Sequence, residues 1–231
     1  MASWSDIVFA GHEMVLDAGL ALYWPAKDAL VVSDLHLEKS TYLAQFGSAV
    51  APYDTHDTLL RLQALVTRYR PKTLILLGDS FHDHKAWQRL EHGARSQLLD
   101  ICGSVEACHL VEGNHDVGLV KDGRLSFCDD VMIDGVTFRH EPEGSDRQVI
   151  GPQIIGHFHP KLVTHLRGHR VAGKCFAVNR DMLIMPAFGS FTGGLDLTHV
   201  AFTALAGNDP FQPYLVVGNT VAARPKTIYS A

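Results

Sequence analysis

The chain has 231 residues, 46% of them hydrophobic and 19% charged, with a mean hydropathy of +0.04. This is an ordinary globular composition, long enough to bury a substantial core and without a low-complexity tract. A net charge of −5 argues against an overall basic nucleic-acid coat, although divalent cations would reverse the sign of a carboxylate-rich pocket. No apolar run approaches the roughly 20 residues that span a bilayer, so no membrane association is expected. The start of the chain lacks a basic segment followed by an apolar block, and its four cysteines form no CxxC pair. Both features favour reduced thiols in the cytoplasm.

Short strands are expected at Ile7–Phe9 and Leu20–Trp24, and a stronger one at Ala29–Ser33, which stops at Asp34. A polar stretch to Pro52 reads as a short helix or loop over a site. Asp54 can cap a helix running to about Tyr69, with Leu59, Leu62, Leu65 and Val66 at amphipathic spacing and Pro71 closing it. Thr73–Leu77 reads as a buried strand, so strand, helix and strand suggest a parallel crossover. Another helix is expected from about Lys85 to Ile101, then a strand at about Ala107–Val111. After residue 124 the pattern changes to hairpins. Asp134-Gly135 is a turn signal between Val131–Ile133 and Val136–Arg139, and Ile154–Ile155, Leu162–Leu166 and Cys175–Val178 continue as strands. Without a Pro-, Gly- or Ser-rich linker, residues 1–231 are expected to form a single domain.

Fourteen histidines stand beside only 20 lysines and arginines, which raises the question of metal ligation. Five polar motifs sit where apolar runs end: Asp34-Leu-His36, Gly78-Asp79, Gly113-Asn114-His115-Asp116, His140 and Gly156-His157-Phe-His159. On an extended chain, positions i and i+2 point the same way, so D-x-H and H-x-H can each aim two ligands at one place. Two Asp, one Asn and four His offer oxygen and nitrogen but no thiolate. That set suits manganese, iron, zinc or nickel better than calcium. A central carboxylate such as Asp79 can bridge two ions.

The ordered set resembles the calcineurin-like metallophosphoesterase signature. The resemblance implies an α/β fold, a four-layer αββα sandwich with two mixed β-sheets. It implies two divalent metal ions, manganese first, with iron, zinc or nickel as alternatives. Asp34, His36, Asp79 and His159 would hold one ion; Asp79, Asn114, His140 and His157 would hold the other. His115 would be the catalytic histidine that contacts phosphate and assists the leaving group, and a hydroxide shared by the ions would attack phosphorus. The family commonly has G-D-x-x-D, whereas here the last place is His82 and an aspartate follows at Asp83. The partner of His115 is therefore open between Asp83, Asp116 and none.

The stretches SDLHLEKS, LLGDSFHD, RHEP, IIGHFHP and MPAFGSFTGG resemble, more narrowly, the bacterial ligase-associated DNA damage response endonucleases. That resemblance implies a phosphodiesterase acting as an endonuclease on DNA or RNA in DNA repair, with DNA-repair proteins as possible partners. A phosphodiesterase or pyrophosphatase of a small nucleotide or lipid-linked substrate is the alternative, and a non-catalytic scaffold is another. Lys161, Arg167, Arg170, Lys174 and Arg180 follow the last motif; they form either one phosphate-tracking face or charges spread over both faces. Composition says nothing of the oligomeric state.

Overall fold

The computed structural model describes residues 3–48, 50–119, 125–142, 151–166 and 169–224. Its first sheet contains β1 (Trp4–Phe9), β2 (His12–Asp17), β3 (Ala21–Trp24), β4 (Ala29–Ser33), β5 (Thr73–Leu77), β6 (Ala107–Val111) and β7 (Phe127–Cys128), in that order across the sheet. β1 to β4 pair antiparallel, and β4 to β7 run parallel. The second sheet contains β8 (Asp130–Ile133), β9 (Val136–Arg139), β10 (Gln153–Ile155), β11 (Lys161–Leu166), β12 (His169–Val178), β13 (Met182–Ile184), β14 (Gln212–Val217) and β15 (Thr220–Ala223). Its order is β15-β14-β12-β13-β10-β9-β8, with β11 paired to β12. Here β9, β10 and β13 are parallel neighbours. Both sheets are thus mixed. The helices are α1 (Lys39–Ala44), α2 (Asp54–Tyr69), α3 (Ala86–Arg89), α4 (His92–Gly103) and α5 (Val200–Ala206).

Alternation along the strands builds the layers. In β4 and β5, Leu30, Val32, Leu74 and Leu76 face Leu59, Leu62 and Leu98 of α2 and α4. The intervening Val31, Ile75 and Leu77 face Phe138, Ile154, Phe176 and Leu183 of the second sheet. The outer face of that sheet, Cys175, Ala177 and Ile184, meets Phe202 of α5 and Phe211. Strands buried on both faces read as continuous apolar runs, which is why Ala29–Ser33 and Thr73–Leu77 were recognisable. The result is helix, sheet, sheet, helix: the αββα sandwich.

Several local expectations change. Asp54 does not cap α2; it is the first helical residue, Tyr53 precedes it, and no side chain caps the end. Its carboxylate instead accepts from the backbone N–H of Ser40 at 3.0 Å and from the Ser40 hydroxyl, tying α2 to the start of α1. The helix expected from Lys85 to Ile101 is broken. Leu90 and Glu91 adopt extended ψ values of 125° and 149°, and the change of direction lets Trp87 and Leu90 enter the same core as Leu98 and Ile101. The hairpin β1–β2 lacks an Asn-Gly or Asp-Gly signal because its turn is Ala10-Gly11, both at positive φ. Asp134-Gly135 does turn β8 into β9.

Candidate metal centre

The polar motifs gather because parallel strands of both sheets end on one rim. Asp34 follows β4, Asp79 follows β5, Asn114 follows β6, His140 follows β9 and His157 follows β10. The backbone joins the sheets there: Phe188 N–H donates to Ser33 O at 2.7 Å and Gly189 N–H to Asp34 O at 3.1 Å. The 34–37 and 79–81 segments run side by side through Asp34 N to Gly78 O, His36 N to Asp79 O and Leu37 N to Ser80 O. Close approach requires glycine at three places. A Cβ on Gly78 would fall within the His140 ring, one on Gly113 within Asp79, and one on Gly156 against Ser33 Oγ and the Asp34 carboxylate.

The spacing argument for D-x-H and H-x-H needs correction. Asp34, His36, His157 and His159 are not extended but left-handed, with φ of 54°, 46°, 67° and 46°, and Asp79 has φ 44°. Such angles cost a non-glycine residue about 1–3 kcal/mol and persist only where the surroundings hold them. Here the holding bonds are visible. His157 N–H lies 3.2 Å from both oxygens of Asp34, and Ser33 Oγ lies 2.5 Å from Asp34 Oδ2 and 2.8 Å from Leu77 O, its one hydrogen shared between these two acceptors. His115 N–H donates to Asp79 Oδ1 at 2.9 Å.

The side chains converge as two adjoining groups. Asp34, His36 and His159 form one: His159 Nε2 is 3.0 Å from Asp34 Oδ1 and 3.4 Å from His36 Nε2. In the other, His140 Nε2 is 3.1 Å from Asn114 Oδ1, 3.3 Å from His157 Nδ1 and 3.4 Å from Asp79 Oδ2. Asp79 Oδ2 also reaches His36 Nε2 at 3.7 Å, so this carboxylate faces both groups. All seven residues singled out in the sequence are therefore together. Glu141 was not singled out, yet its Oε1 lies 3.4 Å from His157 Nδ1, and it could add a donor beside His140 and His157. The only sequence signal was its position in RHEP.

The electrostatics call for cations. Asp34 and Asp79 are almost wholly buried. Burial alone would raise both, but hydrogen bonds and charge from the histidines outweigh it, lowering Asp34 and bringing Asp79 down to about 2. Burial drives His36 down to about 3 and also lowers His157. At His140, burial is overcome by the hydrogen bond to Asp79 and by the charges of Asp34 and Asp79, and it rises to about 9. The His140 ring thus stands where the two carboxylates need positive charge, 3.8 Å from Asp34 and 3.4 Å from Asp79, while its buried Nδ1 has no hydrogen-bond partner. Oxygen and imidazole donors around buried anions fit divalent metal ions.

His115 sits beside these groups, its ring 5.1 Å from that of His36. Its orienting partner is neither Asp83 nor Asp116. Asp83 is held by Arg89, and Asp116 accepts from the N–H groups of Ser80 (3.1 Å), Phe81 (2.9 Å) and Gly113 (3.0 Å). Asp116 therefore fixes the loops that carry Asp79 and Asn114. His115 Nδ1 instead lies 2.7 Å from the backbone oxygen of His82, whose ring stacks on that of His115.

The basic residues divide. Lys161 opposes Lys174, and His165 opposes Arg170, so alternation places Lys161, Arg170 and Lys174 on a common face of the β11–β12 hairpin. Lys174 is turned inward, donating to Ala187 O, Gly189 O and Thr192 Oγ1 at 2.7, 2.9 and 2.8 Å. It secures the FGSFTGG turn rather than facing solvent. Arg180 pairs with the adjacent Asp181, and Arg167 lies outside the described residues.

A family model described as calcineurin-like phosphoesterase matches residues 28–171. No curated protein sequence matches significantly. Among solved structures, the Pseudomonas putida nuclease MPE superposes with a TM-score of 0.72 at 28% identity, covering 96% of this chain and 100% of its own. Yfce, a phosphoesterase from E. coli, aligns with a TM-score of 0.40 at 14% identity over 86% of this chain and 99% of its own.

Proposed function

The chain belongs to the calcineurin-like phosphoesterase family and is a metal-dependent phosphoesterase, and from that footing we propose that it is a nucleic-acid phosphodiesterase, an endonuclease working with two divalent ions. The observation that carries this reading is the position of Asp79 between two donor groups, 3.7 Å from His36 and 3.4 Å from His140. Asp34, His36, Asp79 and His159 would hold one ion, and Asp79, Asn114, His140 and His157 the other. Manganese suits such a set, with iron, zinc or nickel chemically acceptable in its place. Bound there, divalent ions supply an activated water and positive charge for phosphoryl oxygens.

The residues around them supply position and protons. Asn114 brings a neutral oxygen, which limits the negative charge an incoming phosphate meets. His115 directs Nδ1–H to the His82 carbonyl, so as an imidazolium it would give a leaving oxygen the proton on Nε2 and keep the one on Nδ1. The left-handed loops and the glycines pressed against Asp34, Asp79 and His140 hold these groups ready, so little reorganisation is needed at the moment of reaction.

The nucleic-acid part of the reading is supported by the similarity to the nuclease MPE and by the motif resemblance to DNA damage response endonucleases, which would place the activity in DNA repair. Its test is incubation of the manganese-loaded chain with DNA, RNA and a small chromogenic phosphodiester. Cutting at internal phosphodiesters is expected. Brisk turnover of the small diester with both nucleic acids left intact would sink the nuclease reading and leave the phosphoesterase standing.

A further inference from the structure

Lys39, Tyr42 and Phe46 lie at i, i+3 and i+7 along α1 and the turn that follows it, the spacing of one helical face. From Phe46 a file of rings leads inward. Phe46 meets Tyr42 at 5.1 Å between centroids, and Tyr42 meets His82 edge-on at 4.9 Å. His82 then stacks on His115 at 5.1 Å, only 19° from parallel. Each separation is that of a favourable aromatic contact.

Packing does not explain the outer end of this file. Phe46 is 71% exposed, and neither Phe46 nor Tyr42 belongs to any of the three cores. A solitary exposed apolar ring needs no explanation; one that ends a continuous file of rings running to His115 does. Lys39 begins the same face. It is half-buried, its charge is felt by Asp54 and Asp79 and by His36 and His82, and it makes no ion pair among the described residues. A cation followed by flat apolar rings matches the alternation of phosphate and base along a nucleic-acid strand. Aromatic faces accept any base, and base stacking is tolerant of sequence.

We propose that Lys39, Tyr42 and Phe46 form a base-stacking shelf, with Lys39 meeting a phosphate beside the scissile one and the neighbouring nucleobase lying on Phe46. This rests on the nucleic-acid reading above. Tyr42 and His82 back the shelf and connect its position to that of His115.

The test compares the full chain with its Phe46→Ala and Phe46→Trp variants, truncation of an exposed ring being mild for the fold. Fluorescence anisotropy measures binding of a labelled oligothymidylate and of an abasic deoxyribose-phosphate strand to the metal-loaded chain, both strands carrying cleavage-resistant phosphorothioate linkages for this assay. Phe46→Ala weakens oligothymidylate binding about tenfold relative to the abasic strand, and Phe46→Trp restores it. An equal effect on both strands, or none on either, overturns the shelf. Manganese-dependent cleavage of the oligothymidylate by the unmodified chain separates the two levels. Cleavage with no Phe46 effect removes the shelf alone. A chain that neither binds nor cuts the strand, yet turns over methyl p-nitrophenyl phosphate, removes both the nucleic-acid reading and the shelf.

Discussion

His115 presents Nδ1 to the backbone carbonyl oxygen of His82 at 2.7 Å. A carbonyl only accepts, so Nδ1 carries hydrogen and Nε2 is the atom left for substrate. A main-chain acceptor holds Nδ1–H and orients the ring, whether Nε2 is protonated or not, without adding a carboxylate to a site already rich in them. The aspartate that the family commonly places here is unnecessary for orientation.

The first prediction separates binding from catalysis at this residue. His115→Ala keeps the metal content and loses turnover. The loss is greater for an alkyl leaving group than for nitrophenolate, which departs without a proton. General acid catalysis is worth about 10²–10⁴-fold, so parallel assays of the two diesters resolve it. Identical losses would remove the acid role.

Asp79 provides a stoichiometric prediction. Elemental analysis of the metal-replete chain gives two ions, Asp79→Ala lowers occupancy at both positions, and His159→Ala lowers chiefly one. A single ion in the unmodified chain would contradict the dinuclear reading. Chelation also lowers the melting temperature, because Asp34 and Asp79 are then buried without their cations; ligand at 100 times its Kd contributes about 2.7 kcal/mol.

Gly156→Ala tests the close approach of the two sheets. The new methyl group would meet Ser33 Oγ and Asp34 Oδ2. Overpacking of this kind costs about 1–3 kcal/mol, and it bears directly on the oxygens that hold His157. Reduced thermal stability together with weaker metal retention is expected. Gly93→Ala, where a Cβ meets nothing within 4 Å, serves as the control; equal behaviour of the two variants would refute the argument.

Much of this site was legible because buried parallel strands leave an unusual trace. Leu74–Leu77 is apolar throughout, and Asp79, a residue able to bind a metal, comes just one glycine after it. The backbone that aims them was not legible. Left-handed angles at Asp34, His36, His157 and His159 arise from contacts between distant segments, such as His157 N–H with Asp34, and no local spacing encodes them. The same limit hid the orientation of His115, since a carbonyl has no residue-type signature. The break at Leu90–Glu91 was missed because one helix satisfies the apolar spacing as well as two do. Lys174 misled for a different reason: a basic residue near a motif looks solvent-facing until the carbonyls of Ala187 and Gly189 are seen around it.

The left-handed conformation of five of the seven proposed ligands also sets how this centre could be rebuilt. Aspartate, asparagine and histidine tolerate that region better than other non-glycine residues, whereas β-branched side chains suffer there most. An Asp34→Asn exchange therefore asks the backbone for nothing new, but it removes the charge and turns one of the two oxygens that accept from His157 N–H into a donor. A Thr or Val at position 36 or 159 would lose a donor and strain the loop at once. A designer seeking a different metal preference has a short alphabet at these positions, and the freer choices lie at Asn114 and His140, which are not among the left-handed residues.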